Sequence, residues 1–296
     1  MSKPRIIFVP GMKPKPPADI HREALYQCLS AGLERVAPDI ARSFPAASLT
    51  LVAWTYRFYG EHRDIELDRP GIERILAGPE PTAEDVREIE SLAIRIARLL
   101  RVAGDALPLF GRLIAKPSMR LSVAEVHRYF QDRRGVATAI RTQLRDALTD
   151  AWSAGERVLL IGHSLGSVIA YDTLWELSQK RPEPGHVELF ITLGSPLGSR
   201  LILRGLRGAR RSGRERYPAN IIRWQNFSAR GELTAMHPAL KPFFGEMVEL
   251  GLLESLQDVT GFYNPFRGSD GLDVHMSYGY LLNRAVAESV ASWLAL

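Results

Sequence analysis

The chain has 296 residues and a formal charge of +5, with 46% hydrophobic and 24% charged side chains. This composition excludes a disordered chain, a collagen-like repeat and a small disulfide scaffold, and it leaves room for one large α/β domain or two smaller ones. A single cysteine, Cys28, excludes an internal disulfide and sits in an apolar helical pattern, as a core residue does.

The first element is an apolar run over 5–9, closed by Pro10-Gly11, which reads as a buried strand. It is too short for the core of an export signal, and no run in the chain is long enough to span a membrane, so the sequence points to a soluble, cytoplasmic protein. Residues 12–17 read as loop. Asp19 is placed to cap a helix running to Val36, with Leu25, Leu29 and Leu33 at helical spacing. Residues 49–56 read as a second strand. Strand and helix alternate so far, which favours a parallel sheet.

The alternation then stops. Residues 59–134 contain no convincing strand. Residues 84–102 are amphipathic, with Ile89, Leu92, Ile96, Leu99 and Leu100 on one side, and helical pieces follow over 107–113 and 123–131. The expected organisation is therefore a core made of 1–58 and 135–296, with 59–134 as a helical insert or cap. Alternation resumes with a helix over 136–152, a strand over 157–161, a helix over 165–179, and strands over 187–193 and 220–227. A closing helix over 277–296 completes the chain.

The chemically informative stretch is Gly162-His163-Ser164-Leu165-Gly166, a Gly-x-Ser-x-Gly pattern between an apolar strand and a helix. In that setting the serine occupies a sharp turn with strained backbone angles, which lifts its hydroxyl clear of the sheet. A serine hydroxyl needs a base to become a nucleophile. His275, in a loop before the last helix, is the favoured base among seven histidines. His237 is a lesser candidate. His163 should point away and pack, and His21, His62, His127 and His186 read as surface or packing residues. The carboxylate that orients the histidine should lie between Ser164 and His275, after a strand. Glu232 is the first acid beyond 220–227, with Asp258, Asp270 and Asp273 as rivals. Acyl chemistry also needs an oxyanion hole, for which the N–H groups of Leu165 and Met12 are the expected donors.

Taken together, Gly162-His-Ser-Leu-Gly-Ser-Val-Ile-Ala-Tyr171 resembles the nucleophile elbow of the esterase and lipase branch of the α/β-hydrolase superfamily. Three further parts resemble that branch. Val9-Pro10-Gly11 stands where a His-Gly oxyanion motif is usual, and Leu193-Gly-Ser-Pro-Leu-Gly198 is similar to the strand end after the nucleophile helix. Trp224-Gln-Asn-Phe227 with Glu232, then His275-Met-Ser-Tyr278, resemble the acid and histidine segments. The resemblance covers 4–12 and 155–296. It departs from the family in using glutamate for the commoner aspartate, proline for the histidine before Gly11, and an insert placed before the nucleophile.

The fold expected is α/β, a mostly parallel sheet with helices on both faces plus a helical cap. The resemblance implies a serine hydrolase cleaving a small-molecule or lipid ester through an acyl-enzyme on Ser164, with His275 as base, Glu232 as orienting acid, and no metal or organic cofactor. Acyl transfer to another acceptor uses the same residues. The alternative is a non-catalytic scaffold of the same fold, docking through a basic segment.

That segment is 200–216, which holds Arg200, Arg204, Arg207, Arg210, Arg211, Arg214 and Arg216. Its default reading is a mobile, solvated loop, and its sharper one is attraction of anionic substrates or of lipid head groups, as a peripheral contact with an anionic membrane. No nucleic-acid motif accompanies the charge.

Overall fold

The computed structural model describes residues 2–91, 117–180, 184–235, 237–269 and 271–296. Six strands form one sheet: β1 (Pro4–Val9), β2 (Leu49–Leu51), β3 (Arg157–His163), β4 (Val187–Leu193), β5 (Ile221–Ala229) and β6 (Ser255–Phe262). All are parallel, in the order β2-β1-β3-β4-β5-β6.

The central strands are apolar along their whole length because both of their faces are covered. Ile7, Val9, Leu160, Phe190 and Trp224 share one core with the helices Val136–Ser153 and Leu165–Trp175. Ile6, Phe8, Leu159, Ile161, Ile191 and Leu193 share the other with the helices Ala18–Val36 and Arg284–Leu294. Burying each such side chain contributes about 1.5–3 kcal/mol.

The strand order places the site. The chain leaves β1 toward β2 on one side and returns to β3 on the other, so a crevice opens between the carboxyl ends of β1 and β3. The Pro10-Gly11-Met12 turn and Ser164 lie at those two ends.

Several expectations are corrected. The strand expected over 49–56 ends at Leu51, and Thr55–Tyr59 is helical. This turn buries Trp54 and Phe58 in the core, where Trp54 Nε1 donates to the Pro10 carbonyl at 2.9 Å. The helix Ala18–Val36 starts after Pro17, and Asp19 lies in its first turn without capping it. β6 was not foreseen: only one of its residues, Leu256, is buried, so an edge strand of polar residues carries little apolar signal. The closing helix is two, Ser277–Leu282 and Arg284–Leu294, divided at Asn283, whose side chain accepts from the Ala285 N–H.

Within 59–134 the described residues form the helices Arg69–Ala77, Ala83–Ile89 and Pro117–Gln131. The expected amphipathic helix over 84–102 ends at Ile89 as far as it is described, and its remainder, with the piece over 107–113, lies outside the described residues. Ile72 and Ile75 join the core of helix Ala18–Val36, and Val126 and Tyr129 join that of helix Leu165–Trp175.

The segment over 200–216 is folded rather than a solvated loop. It forms the helix Arg200–Gly205 and a 3-10 turn, Gly213–Arg216. Asp172 accepts the Arg207 N–H, Trp175 donates to the Glu215 carbonyl, and Gln179 donates to the carbonyls of Arg214 and Tyr217.

Candidate active site

Ser164 follows β3 directly and has φ 52° and ψ −127°, a conformation costing on the order of 1–3 kcal/mol for a residue with a side chain. The surroundings enforce it. Its N–H donates to the Leu193 carbonyl at 2.9 Å, and its own carbonyl accepts from the Ser167 N–H and hydroxyl at 3.0 and 2.6 Å. A Cβ at Gly166 would stand 2.1 Å from the Val9 carbonyl oxygen, so the helix after Ser164 approaches β1 as closely as only glycine permits. Ser164 therefore sits in a sharp, strained strand-to-helix turn.

The carboxyl end of β1 lies against the elbow. A Cβ on Gly11 would be 2.7 Å from Ser164 Cβ, which puts the Gly11-Met12 main chain beside Ser164. Trp54 holds the Pro10 carbonyl, and the Lys13 N–H donates to the Tyr59 hydroxyl at 2.9 Å. Among the described residues neither the Met12 nor the Leu165 N–H has a hydrogen-bond acceptor. The Leu165 N–H is also at the start of the helix Leu165–Trp175, where the helix dipole favours negative charge.

His275 and Glu232 meet. His275 Nδ1 lies 2.8 Å from Glu232 Oε2. Glu232 is 1% exposed and the His275 side chain 29%. Glu232 Oε1 accepts the Thr234 N–H at 2.8 Å, and Oε2 also accepts the Tyr280 hydroxyl at 3.1 Å. Burial opposes ionisation of Glu232, but His275 and these two donors outweigh it, and its pKa lies below the usual carboxylate value. Gly194 lies directly beneath the pair: its φ is +53°, and a Cβ there would be 2.9 Å from both Glu232 Oε2 and His275 Nδ1. Gly194 follows Leu193, whose carbonyl holds Ser164, so the end of β4 joins both halves of the site.

No hydrogen bond joins Ser164 Oγ to His275; among the described residues the hydroxyl has no partner. Ligand-free sites commonly show this, because catalytic hydrogen bonds tighten in the substrate complex.

The other sequence candidates are placed as follows. His163 packs under His275, with ring centroids 4.6 Å apart, and its Nε2–H donates to the His275 carbonyl at 2.7 Å. Burial, and then the neighbouring His275, hold its pKa well below the ordinary value, so it is neutral and structural. His237 lies beside Gly198 and Phe243. Asp258 accepts from Asn226 and from the N–H groups of Leu240 and Lys241. Asp273 accepts the His275 N–H at 3.0 Å, fixing its main chain and not its ring. Asp270 lies outside the described residues.

Sequence reasoning does not single out Tyr280, which contacts Glu232, and it marks Gly194 only within the Leu193–Gly198 resemblance, not as a position against the acid–histidine pair. Tyr280 reads as a core aromatic, and only the chain path brings its hydroxyl to Glu232. Among the described residues no group of three or more His, Cys, Asp or Glu side chains is arranged to hold a metal ion.

A parallel sheet covered on both faces, with a strained serine at the carboxyl end of a central strand and an acid–histidine pair beyond it, defines the α/β-hydrolase-like fold. Residues 118–209 match the family model described as lecithin:cholesterol acyltransferase, a stretch that spans β3, the Ser164 elbow and β4. No curated protein and no solved structure matches the chain.

Proposed function

We propose that the protein is a serine hydrolase that cleaves a carboxylic ester with a hydrophobic acyl group. Ser164 Oγ attacks the carbonyl carbon as His275 Nε2 takes its proton. The Met12 and Leu165 N–H groups stabilise the tetrahedral oxyanion. His275 then gives the proton to the leaving alcohol, and water enters by the same route to release the acyl group from Ser164. Glu232 holds His275 in the tautomer with a proton on Nδ1 and stabilises the imidazolium. The observation that carries this reading is the hydrogen bond between a buried, ionised Glu232 and His275 Nδ1, beside a serine held in a strained turn.

Turnover of short- and long-chain p-nitrophenyl esters by the wild type and by Ser164→Ala tests it. The alanine variant is expected to lose on the order of 10⁵–10⁶ in kcat. Equal turnover by the two proteins contradicts the assignment.

The match to an acyltransferase family favours a second reading, transfer of the acyl group from Ser164 to an acceptor alcohol in place of water. Product analysis with an added alcohol separates the two. The segment 59–134 fits the role of a cap over the acid–histidine side: Ile89 packs on Gly231, and Asp85 and Glu88 pair with Arg267, in the short antiparallel pair Arg267–Gly268 and Gly271–Leu272 that precedes His275. Among the described residues no helix is long and apolar enough to cross a membrane.

A further inference from the structure

The positive charge of the molecule is concentrated in one place. The segment 200–216 holds seven arginines and one glutamate, a local charge of +6 against +5 for the whole chain, so the remainder carries −1. Its backbone is pinned from within by Asp172, Trp175 and Gln179, while Arg207 pairs with Glu176 at 3.2 Å, Arg214 donates to the Leu250 carbonyl and Arg216 lies over the Tyr217 ring. Arg204 and Arg210 are exposed and have no acidic partner among the described residues. Arg211 pairs only with Glu215, at 3.6 Å and largely in solvent, where such a pair contributes little. Leu201 is 43% exposed between Arg200 and Arg204, while Ile202 behind it is buried. The helix Pro117–Gln131 ends against this patch, Phe130 lying on Gly205, and exposed Arg133 and Arg134 follow it.

We infer that this face docks on an anionic phospholipid surface. Charge complementarity selects a partner with many phosphates. Guanidinium groups bind phosphate oxygens in pairs and stay charged at any working pH. The concavity at the edge of the patch is lined by Arg216 and Lys241 but also by Glu246 and Glu249, which does not suit a single anion. An exposed leucine flanked by arginines suits a headgroup layer, where the aliphatic side chain enters and the cations stay at phosphate level. The segment also starts at the site: Ser195 Oγ bonds Ser167 Oγ in the elbow helix, and the helix Arg200–Gly205 begins five residues later. Asp172, Trp175 and Gln179, which pin the segment, lie further along the helix that starts after Ser164, so the patch runs from the site toward the far end of that helix, and docking lays this flank of the molecule on the bilayer. Any gain in lipid ester turnover rests on the function proposed above, whereas the binding does not.

The test uses full-length Ser164→Ala protein sedimented with phosphatidylcholine vesicles, with and without phosphatidylglycerol. Binding is expected only to the anionic vesicles and is lost at high salt. Combining Arg204→Gln, Arg210→Gln and Arg211→Gln is expected to lower partitioning about a hundredfold, at about fivefold per residue. Leu201→Asp weakens binding at unchanged arginine count. In the wild-type background the triple variant keeps its turnover of a soluble short ester, which shows that it folds. Equal binding to both vesicle types, unchanged binding by the triple variant, or a preference for duplex DNA over anionic vesicles at equal phosphate overturns the inference. A protein inactive on every ester but bound to anionic vesicles refutes the hydrolase reading and leaves this one standing.

Discussion

Ser164 is held by its own main chain, with a positive φ, three backbone-centred hydrogen bonds and a helix that presses on β1 through Gly166. His275 is held by side chains, in a relay from the Ala229 N–H through the Tyr280 hydroxyl and Glu232 to the imidazole. The first arrangement is rigid and intolerant of any added atom. The second can lose one donor and keep its shape. The nucleophile half should therefore fail by unfolding, and the acid–histidine half by graded loss of rate.

The largest expected effect is in the rigid half. Gly166→Ala drives a methyl into the Val9 and Pro10 carbonyl oxygens, both backbone, and should abolish folded protein as judged by circular dichroism and gel filtration. Recovery of a folded, active variant breaks the comparison. Glu232→Gln is isosteric and should leave the fold intact. It removes the charge that stabilises the imidazolium, and kcat should fall by about 10³–10⁴. Tyr280→Phe removes one of three hydrogen bonds to Glu232 and orphans the Ala229 N–H. It is expected to cost about 1–3 kcal/mol in urea denaturation and roughly tenfold in turnover.

The smallest effect is on stability with pH. His21 is held at about 3, by burial first and then by Lys15, and His163 well below its ordinary value. Both bind a proton in the unfolded chain below about 6.5 and not in the folded one, so stability falls as pH drops through 6.5. Asp172, pushed up to about 6 by burial, takes a proton in the folded state first and acts in the opposite direction. Below pH 6 the two histidines outweigh Asp172, so stability falls further as the pH drops. Urea midpoints at pH 7 and pH 5 measure it, and Asp172→Asn should steepen the fall.

The same contrast governs what the sequence makes legible. β1, β3 and β4 are covered on both faces, so Ile6-Ile7-Phe8-Val9 and its counterparts read as strands without any knowledge of their neighbours. The elbow is legible for a local reason: the spacing of Gly162 and Gly166 around Ser164 records a steric demand. Glu232 is readable by order in the chain, as the first acid past β5. β6 is not, because an edge strand such as Ser255-Leu-Gln-Asp258 is half wet and has no alternating pattern. Tyr280 and the folding of 200–216 depend on partners far away in the chain, Glu232 for one and Asp172, Trp175 and Gln179 for the other. Such nonlocal pairings leave no mark on spacing.

The central claim is that Glu232 and His275 make the Ser164 hydroxyl reactive. Labelling with a fluorophosphonate, followed by peptide mapping, measures this without knowledge of the substrate. The adduct is expected on Ser164 in the wild type, absent in Ser164→Ala, and formed far more slowly in His275→Ala. An unlabelled wild type, or a labelling rate at Ser164 unaffected by loss of His275, would contradict the account and leave a scaffold of the same fold.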